Sequence, residues 1–123
     1  MIKTFLYIAL GGALGSVLRY AIVLLVSKFG THQFPTATFI TNILGCFLIG
    51  LFIGFLEKYH ITEGQLKWFL VTGFCGGFTT FSTFSVENIN LLQSNNSLLA
   101  LLYICLSIIL GIIAVWMGLF IAK

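Results

Sequence analysis

The hydrophobic residues of this chain form four long runs separated by polar and charged residues. The runs cover residues 4–27, 36–56, 68–90 and 98–122, and each has about the 20 residues that a helix needs to cross a bilayer. The joints at 30–34, 57–67 and 91–97 are too short for a soluble domain. The pattern predicts a single all-α domain of four transmembrane helices with both termini on one side.

The composition agrees with a membrane protein. Hydrophobic residues make up 59% of the chain and charged residues only 7%, against about 25% in soluble domains. No basic run indicates binding to nucleic acid. We expect a multi-pass protein of the cell inner (plasma) membrane, with termini in the cytoplasm but a charge bias weak enough to allow both orientations. The side that holds the termini carries Lys3, Lys58, Lys67 and Lys123, whereas the other side carries Lys28 and Arg19.

The third run contains an unusual stretch at residues 73–85, which reads GFCGGFTTFSTFS. Glycine costs about 1 kcal/mol relative to alanine in a helix interior, and β-branched threonine loses rotamer freedom there. We therefore predict that the third helix breaks near its middle, at Gly76-Gly77. A break at membrane depth exposes carbonyls that bind cations and helix N-termini that favour anions, and it must line a cavity or be buried in protein.

Other polar side chains lie at membrane depth, and each has two interpretations. Arg19 is an interfacial anchor or a cation that attracts anions to a vestibule. Asn42 bonds one helix to another or donates its amide to a permeating anion. Tyr103 and Ser107 are four residues apart on one helical face, where a hydroxyl either bonds to its own helix or forms part of a polar track along a pore.

Phe81 and Phe84 are three residues apart and therefore share a helical face. Such a stripe is typical of packing, but the positive edge of an aromatic ring also suits an anion. Glu87, at the end of this span, is interpreted as an interfacial anchor or a hydrogen-bond partner. Hydroxyl groups surround the same turns, at Thr79, Thr80, Ser82, Thr83 and Ser85.

Little in the sequence indicates catalysis. No group of metal-ligating residues occurs, and no nucleophile has a base beside it, so we do not expect an enzyme. His32 and His60 fall in joints, where we expect exposure. The three cysteines lie in apolar runs and are interpreted as buried free thiols; they are Cys46, Cys75 and Cys105.

Small residues recur at helix-contact spacing, which favours close packing of helices in lipid. Because four spans enclose little interior, we expect much of this surface to contact a second copy. The positions are Gly11 and Gly15, Gly50 and Gly54, and Gly111, Ala114, Gly118 and Ala122.

Over its whole length the chain resembles the Fluc fluoride channels, also called CrcB proteins. The motif at 73–85, followed by Glu87, is highly specific. Two further motifs stand in the family's order, namely Gly11-Gly12-Ala13-Leu14-Gly15 leading to Arg19-Tyr20, and Thr41-Asn42 with Gly45.

The resemblance implies an antiparallel, dual-topology dimer whose two pores pass fluoride passively and so lower cytoplasmic fluoride. It also implies a structural sodium ion at the dimer interface, held by the backbone carbonyls of Gly76 and Thr79 from both copies, and it assigns Arg19 to the vestibule. In relatives the polar track can continue past Ser107 with another hydroxyl, where this chain has Gly111. The pore residues it implies are Asn42, Phe81, Phe84, Thr80, Ser82, Ser85, Tyr103 and Ser107.

Two other functions agree less well with the sequence than a fluoride channel. Small multidrug transporters also have four short spans and antiparallel dimers, but they need a carboxylate in the first span, where this chain has only Arg19. A non-transporting assembly subunit would explain the glycines but not the stretch rich in threonine and serine. The sequence leaves open whether the partner copy is identical.

Overall fold

The computed structural model describes residues 1–30 and 33–123, and the regular structure in these residues is entirely helical. We call the helices α1 (Ile2–Ser27), α2 (Thr36–Lys58), α3 (65–78), α4 (Phe81–Gln93) and α5 (Ser97–Ala122). The middle of α3, Trp68–Cys75, is π-helical. Helices α3 and α4 together form the third of four segments that are long and apolar enough to cross a membrane. The prediction of four spans with an interrupted third span is confirmed.

The joint between α2 and α3 turns through two residues with left-handed backbones. His60 has φ 56° and Gly64 has φ 129°, a region where glycine carries no steric penalty. His60 is exposed, as predicted. His32 lies outside the described residues.

Glycines bring the helices into close contact in two pairs, α1 with α3 and α2 with α5. A Cβ atom at Gly15 would overlap the carbonyl oxygen of Phe74, and one at Gly118 would overlap that of Phe47. Gly11, Gly50 and Gly54 likewise face helices of the same chain. The expectation that these glycines contact a second copy is therefore wrong. In lipid, helix association depends on such backbone proximity, so the chain uses its small residues internally.

The buried side chains are few, as expected for a bundle whose outer surface meets lipid. Tyr103 and Thr41 are the largest fully buried side chains among the described residues. All three cysteines are free. Cys75 is buried and Cys46 half-buried, but Cys105 is exposed on α5, so the prediction of burial is wrong for Cys105. An apolar run does not tell which face of its helix points to lipid.

Candidate functional site

The break in the third span lies at Thr79 and Thr80, downstream of the predicted position. Thr79 has φ −85° and ψ 159°, Thr80 has φ −150° and ψ 118°, and both are extended. Gly76 is helical, with φ −63° and ψ −37°. Gly77 is also helical and packs against the backbone of Gly12 in α1. The break is displaced from the predicted Gly76-Gly77 into the threonine pair that follows. Gly77 stays helical where it packs against α1, while the β-branched threonines adopt the extended backbone that suits them.

Asn42 on α2 satisfies the backbone of the break. Its Nδ2 donates to the Thr80 carbonyl at 3.0 Å, and its Oδ1 accepts from the Thr80 N–H at 2.8 Å. An extended residue at membrane depth needs such partners because no lipid atom can supply them. Gly45, on the same face of α2, has only a hydrogen atom where a Cβ would collide with the Thr79 methyl group. Helix α2 is thus shaped to hold this break.

Thr80 also caps the second half of the span. Its Oγ1 accepts from the Thr83 N–H at 3.2 Å and lies 3.3 Å from the Ser82 hydroxyl. The hydroxyl of Ser85 instead donates to the Phe81 carbonyl of its own helix at 2.9 Å. Helix α4 therefore starts inside the span, with the positive end of its dipole at the break.

The two phenylalanines of α4 lie side by side, as their spacing predicts. The ring centroids of Phe81 and Phe84 are 5.8 Å apart. Phe81 is 79% exposed. Phe84 is half-buried and meets the Tyr103 ring edge-on, with centroids 4.8 Å apart at 68°. One ring is therefore free at the surface of the single chain, while the other is held against α5.

A groove of about 570 Å³ runs past the break, and no charged residue is among those that line it. It brings together residues from three of the four spans. Ser107 contributes a buried hydroxyl that has no hydrogen-bond partner among the described residues, so it does not bond to its own helix. The predicted site residues in the lining are Asn42, Gly76, Thr79, Thr80, Phe81, Phe84 and Ser107.

Other predicted residues lie outside this groove. Tyr103 donates its hydroxyl to Glu87 Oε2 at 3.1 Å, and Thr38 donates to Glu87 Oε1. The interpretation of Glu87 as a hydrogen-bond partner is confirmed. Thr38 was missed as a site residue, although its position one turn before Asn42 on the same face was a usable signal.

Arg19 turns inward toward the break. Its Nη1 lies 3.5 Å from the Thr79 carbonyl oxygen. It lines a second cavity of about 290 Å³, together with the hydroxyl-bearing residues Ser16, Tyr20, Thr38, Thr41, Thr80 and Thr83. A fixed positive charge among hydroxyl donors suits an anion, which favours the vestibule interpretation over the interfacial anchor.

The backbone carbonyls of Gly76 and Thr79 are the candidate ligands of a cation, although that of Thr79 also lies 3.5 Å from Arg19 Nη1. In an uninterrupted helix the Thr80 N–H would donate to the Gly76 carbonyl, but here it donates to Asn42. Nothing lies within 4 Å of where a Cβ of Gly76 would be, and both residues line the groove. Two carbonyls are too few for a hard cation, so one chain can supply at most a share of the ligands.

Gly111 on α5 faces Cys46 on α2. A Cβ atom there would lie 3.4 Å from Cys46 Sγ. Cys46 also lines the groove.

A broken span beside a groove, within four segments that can cross a membrane, is typical of small multi-pass membrane proteins that move solutes. The chain belongs to the CrcB family, whose model, described as CrcB-like protein, Camphor Resistance (CrcB), matches residues 6–119.

Curated relatives agree over nearly the full length. The chain is 62% identical over 121 residues, 98% of both proteins, to a protein of Flavobacterium psychrophilum named fluoride-specific ion channel FluC. It is 44% identical to one of the same name from Azobacteroides pseudotrichonymphae, covering 96% of this chain and 94% of the relative. A third, from Campylobacter jejuni, is 42% identical over all 123 residues. The chain is accordingly a multi-pass protein of the plasma membrane.

Proposed function

We propose that this chain forms a fluoride-selective channel, in which two antiparallel copies enclose two pores that let fluoride leave the cell passively. The names of its relatives support fluoride as the ion. The observation that carries the proposal is the groove at the break, where two phenylalanine rings, an amide and hydroxyls lie together and no charged residue is among the described residues that line it.

The donors of the groove suit an ion that must enter and leave quickly. Fluoride is small and strongly hydrated, so a pore must replace its water with close donors while binding it weakly enough for release. The edges of Phe81 and Phe84 carry partial positive charge, and Ser107 has a free hydroxyl. A basic side chain in the groove would bind the anion too tightly, whereas Arg19 in the second cavity can attract anions without trapping them.

The pore residues have distinct proposed roles. Asn42 and Thr80 hold the break open, and the second N–H of the Asn42 amide remains available as a donor. Phe81 and Phe84 contact the ion with their ring edges, and Ser107 offers its hydroxyl to the polar track. Tyr103, whose hydroxyl donates to Glu87, borders this track by packing on Phe84. Ser82 and Ser85 supply hydroxyls beside the two rings. The hydroxyl of Ser85 donates to the Phe81 carbonyl, so it must turn away from that carbonyl to donate to the ion.

The proposed dimer completes what one chain leaves open. Phe81 is 79% exposed on the single chain, and a second copy across the groove would enclose its ring. Gly76 and Thr79 of both copies would then supply the carbonyls for a structural sodium ion. When bound, sodium would hold the copies together through these shared oxygens. We propose no catalytic role for the chain.

The alternative of a small multidrug-type cation transporter has less support. Such a transporter needs a carboxylate that binds the cation in the membrane. Glu87 is bonded to Thr38 and Tyr103 and is not among the residues that line the groove. Neither the groove nor the first span offers a carboxylate within the described residues.

The direct test is ion efflux from liposomes that contain only this chain. We expect rapid fluoride efflux, with chloride retained. Efflux of both ions at similar rates would contradict the selectivity, and retention of both would contradict the channel. Uptake of a cationic drug into the liposomes, driven by a pH gradient, would support the transporter alternative. Fluoride efflux from this chain alone would also mean that identical copies suffice.

A further inference from the structure

Four aromatic side chains pack together at the end of the third span, and we call them the aromatic cluster: Phe34, Phe39, Phe84 and Tyr103. The Phe34 and Tyr103 rings meet edge-on, with centroids 5.2 Å apart at 70°. Phe34 and Phe39 lie 5.3 Å apart at 73°, and Phe39 and Tyr103 lie 6.4 Å apart. Tyr103 at the centre is 0% exposed, so its ring has no room to reorient while these neighbours remain.

The cluster connects the joint before α2 to the candidate pore. Phe34 precedes Pro35, outside the helices, and its carbonyl accepts from the Thr36 N–H at 2.8 Å. Phe34 is in neither cavity lining. Tyr103, which Phe34 contacts, packs in turn on Phe84 at 4.8 Å, and Phe84 lines the groove. A continuous path of ring contacts therefore leads from a residue outside the groove to one inside it.

We infer that Phe34 is a positioning residue for ion passage: by clamping Tyr103, it sets the orientation in which Phe84 presents its ring edge to the groove. This inference rests on the proposed function, because it assigns Phe34 a part in the same pore. Edge-to-face aromatic pairs are directional. The hydroxyl of Tyr103 is anchored on Glu87, so loss of Phe34 leaves the ring free to tilt about that anchor. Phe84 then follows into the vacated space.

The test compares single-channel fluoride currents of Phe34→Ala, Phe34→Tyr and the wild-type chain in planar bilayers. Unitary conductance reports the pore itself and does not depend on how many channels survive. We expect Phe34→Ala to lower the unitary conductance by about two- to tenfold, which corresponds to the energy of one directional aromatic pair. Phe34→Tyr, which keeps the ring, should retain most of the wild-type conductance. Phe29→Ala is the matched control, because Phe29 lies in the same joint between α1 and α2 but its side chain is 80% exposed. Unchanged unitary conductance in Phe34→Ala, with fewer channels, would overturn the inference.

A second measurement does not depend on current, so it applies even if Phe34→Ala folds poorly or the wild-type chain conducts no fluoride. Aromatic NMR resonances of the Phe84 ring, assigned with Phe84→Leu, are compared between the wild type and the milder Phe34→Leu. We expect them to shift in Phe34→Leu and to stay in place in Phe29→Ala. Absence of a shift would overturn the positioning role whatever the current. Absence of wild-type fluoride current with a shifted Phe84 resonance would count against the proposed function while supporting the clamp.

Discussion

Asn42 pairs with both backbone groups of Thr80, accepting from its N–H at 2.8 Å and donating to its carbonyl at 3.0 Å. A single side chain thus makes the two backbone hydrogen bonds of Thr80, one of the two extended residues in the third span. The pairing satisfies both backbone groups of Thr80, and because the Thr80 N–H donates to Asn42 it does not donate to the Gly76 carbonyl. The remaining features of the groove follow from this contact.

Replacement of Asn42 should destabilise the protein. Asn42→Ala leaves the Thr80 N–H and carbonyl unpaired, and each unsatisfied buried group costs about 1–3 kcal/mol. Asn42→Asp keeps an acceptor for the Thr80 N–H and loses only the amide donor to the Thr80 carbonyl. We therefore expect Asn42→Asp to lower the stability less than Asn42→Ala does. Thermal unfolding in detergent measures both. Asn90→Ala is the control, because Asn90 is exposed on α4; equal melting temperatures for Asn42→Ala and Asn90→Ala would contradict this role.

Replacement of either pore phenylalanine should suppress ion flow without disrupting assembly. Isoleucine keeps bulk at position 81 or 84 but removes the positive ring edge. We expect Phe81→Ile and Phe84→Ile each to reduce fluoride efflux from liposomes by at least about tenfold, the effect of roughly 1.4 kcal/mol. Size-exclusion chromatography should still show the dimer. The control is Phe5→Ile, at an exposed position on α1. Normal efflux from both pore variants would remove them from the ion path.

The proposed sodium site predicts that removal of sodium weakens the proposed dimer. The carbonyls of Gly76 and Thr79 from two copies would lose the cation between them and repel one another. We expect dialysis into a buffer in which a large organic cation replaces sodium to lower the melting temperature of the dimer and its fluoride flux. Restored sodium should reverse both. Identical melting curves with and without sodium would argue against the site.

Two neighbouring glycines of α1 should differ sharply in their tolerance of a methyl group. A Cβ atom at Gly15 overlaps the Phe74 carbonyl oxygen, whereas one at Gly12 has its nearest contact, the Gly73 carbonyl oxygen, at 3.8 Å. We expect Gly15→Ala to cost about 1–3 kcal/mol through overpacking and Gly12→Ala to cost little. Unfolding in denaturant measures the difference. Similar stabilities would mean that α1 and α3 are not packed this closely.

Several features depended only on local properties of the sequence and could be predicted from it. Four spans follow from the length of each apolar run, because a bilayer sets a minimum that few soluble segments reach. The interruption of the third span follows from its glycine and threonine content, and the shared face of Phe81 and Phe84 follows from their spacing. The family resemblance, which rests on the motif at 73–85, named the candidate ion.

Only the tertiary structure decided where these features act. The break moved from the glycines to Thr79 and Thr80 because Gly77 is held in a helix against α1 and Asn42 stabilises Thr80 extended. The small residues face helices of their own chain, and Glu87 faces Thr38 and Tyr103. Each outcome joins residues far apart in the chain, and such pairings depend on how helices pack. Hydrophobic length and spacing carry no information about that packing.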